Sequence, residues 1–91
     1  MIAFEISLDG RRISTIGIGQ HGKMTVTVSA STGYPPDLTF INMGFGGLDI
    51  PTDESVSWPW PPEIGVGSTI SIRIVEADTV DEPRERKTLS R

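Results

Sequence analysis

Ninety-one residues with a formal net charge of −4 and no cysteine make a single domain and exclude a disulfide framework or a thiolate metal site. A chain this short buries only about 60–65% of its unfolded surface, so its core is small. Ile, Val and Thr supply 26 residues against 10 for Leu, Ala and Met, which argues against a helical bundle and for short strands joined by tight turns.

The opening residues lack a basic leader and carry Glu5 inside the apolar run, so they do not read as a signal peptide. No apolar run reaches the ~18 residues of a membrane span. With cysteine absent, the expectation is a cytoplasmic protein that stays off membranes. Ile2, Phe4, Ile6 and Leu8 alternate with Ala3, Glu5 and Ser7, the period of a strand with one buried face. Asp9-Gly10 is the dipeptide favoured in a two-residue type I′ hairpin, whose central residues both need positive φ. Residues 11–18 read as the returning strand and residues 19–22 as a second turn. Met24, Val26, Val28 and Ala30 then alternate with Thr25, Thr27 and Ser29, so these three segments predict a meander.

Residues 31–37, with Gly33 and Pro35-Pro36, predict a loop, because proline cannot donate to a central ladder. Residues 38–43 predict a strand that is bulged or covered on both faces. Gly44-Phe45-Gly46-Gly47 predicts unusual backbone angles or close approach by another segment. Val56 and Trp58 alternate with Ser55 and Ser57, and Pro59-Trp60-Pro61-Pro62 must end that strand in an extended path. Gly65 to Ser68 is a turn, after which Ile70, Ile72 and Ile74 alternate with Ser71, Arg73 and Val75 in the strongest strand. Six strands over about 76 residues predict an all-β fold, a small antiparallel β-sandwich or partly open barrel of five to six strands.

The charge is unevenly spread. Residues 1–83 carry four basic and eleven acidic side chains, whereas Arg84, Arg86, Lys87 and Arg91 face only Glu85 in residues 84–91. The expectation is a domain over 1–83 with a basic, flexible tail over 84–91. An acidic body repels a phosphate backbone, so the folded part is not expected to bind nucleic acid.

Candidate chemistry is sparse. Gly17, Gly19 and Gly22 match the glycine spacing of a dinucleotide fingerprint, but a strand follows where the phosphate-binding helix must start, so they read as a hairpin turn. His21 is the single imidazole and sits between turn glycines, which suits an exposed turn residue and leaves no triad or transition-metal site. Asp49, Asp53 and Glu54, and then Glu76, Asp78, Asp81 and Glu82, form acidic groups without EF-hand spacing, read as solvated loops. An oxygen-ligand cation site between these loops stays open. The repeated Ile-Gly-Ile-Gly at 16–19 and Ile-Gly-Val-Gly at 64–67 fits either a duplicated half-domain or two independent strand entries.

The aromatic residues are the most suggestive set. Trp58 continues the Val56 face and is expected in the core. Trp60, held between prolines, and Tyr34 are stiff aromatics suited to a partner or ligand contact, with Trp58 as a further member of that set. The expected function is a non-enzymatic protein-interaction module, an adaptor, inhibitor or immunity-type partner, using no cofactor and able to self-associate as a homodimer. The alternative is a carbohydrate or small-ligand binding module built on these aromatics.

Gly46-Gly47-Leu48-Asp49, Trp58 and the run from Val66 to Pro83 resemble a group of small bacterial β-rich proteins of unassigned function. Residues 2–8 and Gly17-Ile18-Gly19 are similar to it too. The chain departs from that pattern at Ser68, where Asp is frequent, and in residues 31–37, which are less charged here. The resemblance covers most of the chain and implies a compact bacterial β domain. It assigns no activity, substrate or catalytic residue.

Overall fold

The computed structural model describes residues 1–19, 21–33 and 39–88, Thr39 by its backbone alone. Seven strands occur among them: β1 (Ile2–Leu8), β2 (Arg11–Ile16), β3 (Gly22–Thr32), β4 (Thr39–Asp49), β5 (Glu54–Trp58), β6 (Ile70–Glu76) and β7 (Glu85–Thr88). They form two antiparallel sheets, β2-β1-β6 and β3-β4-β5-β7. The fold is therefore an all-β sandwich that does not close into a barrel.

Local chemistry explains the first hairpin. Asp9 and Gly10 have φ of 51° and 84°, the positive pair that a type I′ turn demands. The alternation of β1 then splits its side chains: Ile6 and Leu8 are buried on the inner face, Ile6 as part of the core cluster, while Ala3 is buried on the opposite face. The facing sheet supplies Met43, Phe45, Val56 and Trp58, with Ile16 and Ile64 completing the cluster. Two half-apolar sheets bury their inner faces only against each other, which is why the chain needs both.

Several expectations change. The third strand of the expected meander does not pair with β2; β3 crosses to the other sheet and pairs with β4 along eleven residues. Among the described residues, 17–19 and 21 thus lie on a crossing between sheets and not in a hairpin turn. Ile18 in this crossing packs against the core. The glycines of 44–47 lie inside the straight strand β4, and none of them has positive φ. Close approach is their reason: a Cβ on Gly47 would run into the Lys23 carbonyl and the Ile18 side chain. Of the expected loop over 31–37, residues 31 and 32 extend β3, and residues 34–37 lie outside the described residues.

The expected tail is the largest correction. Residues 85–88 add a seventh strand, β7, to β5, in register from Ser57 with Glu85 to Glu54 with Thr88. Arg86 lies 3.4 Å from Asp49 Oδ2 and 3.5 Å from Glu54 Oε1, so part of the basic terminus is matched to the acidic pair at the β4–β5 turn.

Residues 77–84 strap the sandwich together. Met1 and Ala77 exchange backbone hydrogen bonds, both 2.9 Å. Asp81 then locks β2 to β5: its N–H donates to Thr15 O at 2.9 Å, its Oδ2 accepts from Thr15 N–H at 3.1 Å, and its carbonyl accepts the Trp58 indole N–H at 2.8 Å. Arg84 N–H donates to Ser57 O at 2.8 Å and leads into β7. This strap caps the outer edge of β2. Among the described residues, nothing comparable covers the outer edges of β6 and β3.

The molecule is thin and extended for its length. Its radius of gyration is 14.6 Å and its extents are 44 × 36 × 16 Å, against about 12 Å for a compact chain of this size. Its accessible surface of 6288 Å² exceeds the roughly 5,200 Å² typical of a monomer of this mass.

Candidate functional site

Two surfaces stand out, one on each sheet. The first is an open trough of about 360 Å³ on the outer face of the four-stranded sheet, bordered by Trp60 and Arg84. Its floor follows from the alternation of three strands. Thr25 and Thr27 of β3, Gly44 and Gly46 of β4, and Ser55 and Ser57 of β5 all point away from the core, because their neighbours Val26, Phe45 and Val56 point into it. Register places Thr27 beside Gly44, and Thr25, Gly46 and Ser57 in one row.

The glycines keep this floor low. A Cβ on Gly44 would lie 2.9 Å from Thr27 Oγ1, and one on Gly46 would lie 2.8 Å from the Val56 carbonyl oxygen. Thr25 Oγ1 itself donates to Gly46 O at 3.4 Å. The result is a shallow surface of hydroxyls and exposed backbone with an indole and a guanidinium at its rim. Such a set can stack on a flat ring and hydrogen-bond hydroxyl or carboxylate groups. It contains no nucleophile–base pair.

The aromatic candidates separate here. Trp58 is 2% exposed, belongs to the core and spends its N–H on Asp81. Trp60 is half-buried, packs one side on the core and borders the trough. Tyr34 lies outside the described residues. The structure thus brings Trp58 and Trp60 to neighbouring positions with different environments, through the strand break that Pro59 imposes.

Several members of the acidic groups are engaged in ion pairs. Asp49 and Glu54 flank Arg86, Asp81 meets Arg12 at 3.3 Å, Glu63 meets Arg11 at 3.0 Å, and Glu76 meets the N-terminal ammonium at 3.2 Å. Asp53, at φ 56°, turns the chain between β4 and β5 with its N–H on Ile50 O at 3.2 Å. Among the described residues no group of three or more ligating side chains converges on a point that could hold a metal ion. His21 is exposed, and its carbonyl accepts Ile50 N–H at 3.1 Å.

The second surface is the β6 edge of the three-stranded sheet. Register sets Ile70, Ile72 and Ile74 opposite Leu8, Ile6 and Phe4 on the inner face. Ile70 packs against the core, but Ile72 and Ile74 are 48% and 69% exposed, and Ile2 beside them is 54% exposed. The alternation of these isoleucines marks a strand face but does not show that the opposite sheet leaves Ile72 and Ile74 uncovered. The one available signal was the surplus of isoleucine over what so small a core can enclose. An apolar cleft of about 410 Å³, lined by Ile2, Phe4, Ile18 and Met24 with Lys23 at its margin, opens between the sheets beside this row.

No helix among the described residues is long and apolar enough to cross a membrane. No protein-family model matches the chain, and neither a curated protein nor a solved structure matches it.

Proposed function

We propose that this chain is a non-enzymatic protein-interaction module, an adaptor, inhibitor or immunity-type partner of bacterial type working in the cytoplasm, that engages its partner along the free edge of β6. One observation carries the reading: a regular seven-residue edge strand whose inward row keeps Ile72 and Ile74 largely exposed. Edge strands left unprotected template a further strand, and natural sheets blunt them with charges, proline or bulges. β6 carries only Arg73 and the terminal Glu76 as charges, contains no proline, and pairs with β1 without a bulge. Strand addition supplies affinity through main-chain hydrogen bonds and specificity through alternate side chains. The acidic body supports a protein partner over a nucleic acid.

Selection of displayed extended peptides on the immobilised chain tests this reading. Enrichment of peptides with alternating β-branched residues, lost with Ile74→Lys, is the expected result. Enrichment of no such pattern, or binding indifferent to that substitution, overturns it.

A second reading rests on the trough: a carbohydrate or small-ligand module in which Trp60 stacks on a ring, while the Thr25, Thr27, Ser55 and Ser57 hydroxyls and Arg84 take its polar groups. Titration of neutral and acidic oligosaccharides against intrinsic fluorescence decides it. A saturable change abolished by Trp60→Ala supports the reading, and an unresponsive indole across the panel removes it.

A further inference from the structure

We infer that the partner of the β6 edge is a second copy of this chain, paired β6 to β6 in antiparallel orientation about Ile72, so that two three-stranded sheets become one continuous six-stranded sheet. This inference rests on the interaction reading and names its occupant.

Backbone polarity comes first. Asp9 N–H donates to Thr69 O at 2.8 Å, and Met1 and Ala77 exchange two hydrogen bonds, so residues 69 and 77 direct their backbone groups toward β1. Orientation alternates along an antiparallel strand. Ser71, Arg73 and Val75 therefore also face β1, and Ile70, Ile72, Ile74 and Glu76 present their N–H and C=O groups to the open edge. The residues with free backbone groups are the same ones whose side chains form the exposed apolar row.

Self-complementarity comes second. A two-fold axis at Ile72 sets Ile72 against itself and Ile70 against Ile74 of the other copy, which makes an unbroken isoleucine stripe across the junction. On the opposite face it sets Ser71 against Arg73 of the other copy. The neighbouring register, centred on Arg73, would put two guanidinium groups face to face, and like charges directly opposite are destabilising. Of these two registers the sequence Ile-Ser-Ile-Arg-Ile favours the one centred on Ile72, an isologous arrangement of the form that a closed dimer requires.

Exposure comes third. Ile2, Ile72 and Ile74 are 54%, 48% and 69% exposed along this edge, apolar surface that a second copy would remove from water. The net charge of −4 on each copy opposes association over long range, so pairing strengthens as salt screens it.

Sedimentation velocity on the full chain, from low to high micromolar concentration, tests the inference. A monomer–dimer equilibrium that tightens with salt is expected. Ile74→Lys, at a position exposed in the monomer and so neutral to its folding, should weaken the dimer roughly a hundredfold, because two copies each lose an apolar contact and gain a charge. The chain has no cysteine, so a single introduced thiol reports only on itself. Under mild oxidation Ile72→Cys should form an interchain disulfide. Ile74→Cys should not, because its two copies would lie ~13 Å apart, beyond disulfide reach. A strict monomer, a dimer unaffected by Ile74→Lys, or equal cross-linking at both positions overturns the inference. A strict monomer that still selects alternating peptides through Ile74 removes only the self-pairing; loss of both results removes the interaction reading as well.

Discussion

The two tryptophans, two positions apart, illustrate how one proline divides structural from surface roles. Trp58 fills the core and closes the strap through its 2.8 Å bond to Asp81 O. Trp58→Phe leaves that carbonyl without its donor and should cost about 1–3 kcal/mol in urea unfolding. Acrylamide should quench only Trp60 efficiently, so Trp60→Phe should leave a shielded, blue-shifted emission. The glycines make a second residue-scale contrast. Gly47→Ala forces a Cβ against the Lys23 carbonyl and Ile18 and should destabilise by about 3 kcal/mol, the upper range for overpacking. Gly65 has open space around its missing Cβ and no positive φ, so Gly65→Ala should raise stability by about 0.4–1 kcal/mol through the unfolded chain. Paired thermal melts of the two variants check both signs. The sequence marks 44–47 for unusual backbone angles or for close approach, and does not say which or what approaches, because the neighbours at Lys23 and Ile18 arrive from another strand and a crossing.

At the scale of elements, β7 shows how charge can recruit a strand that has no apolar face. All four of its residues are exposed, and it is held by its ladder to β5, by the Arg84 N–H and by Arg86 between Asp49 and Glu54. Arg86→Ala should cost about 0.5–1 kcal/mol, a modest figure because the guanidinium is nearly half exposed. The loss should shrink at high salt, read from denaturant midpoints at two ionic strengths. The sequence suggests a tail there because strand signals rest on apolar alternation, and a polar edge strand has none. The expectation that β3 pairs with β2 fails for a related reason. Its own period was plain, but alternation says nothing about which neighbour receives its hydrogen bonds.

The described residues form an open sandwich, sealed along one side by the 77–84 strap and without a covering strand along β6. If two copies share that edge, folding and association are linked, and stability depends on protein concentration. Above the dissociation constant, each tenfold rise in concentration should raise the melting temperature by about 3–5 °C in calorimetry. Ile74→Lys should flatten that dependence. Within one copy, β1 joins a strand more than sixty residues away, so non-local pairing dominates the topology and sets slow folding.

Sequence alone determined the local half of this protein: the all-β class, the Asp9-Gly10 turn, the inward faces of β1 and β5, the strand break at Pro59 and the exposed His21. Each follows from backbone preference or a two-residue period, which are properties of a few consecutive residues. Tertiary structure alone decided that β1 pairs with β6, that β3 changes sheet, that residues 85–88 become a strand and that small residues from three strands line up under Trp60. It also decided that Ile72 and Ile74 stay uncovered. Alternation assigns a side chain to a face, but whether that face is buried depends on what lies across from it, and that is set by hydrogen bonds and packing between residues far apart in the chain.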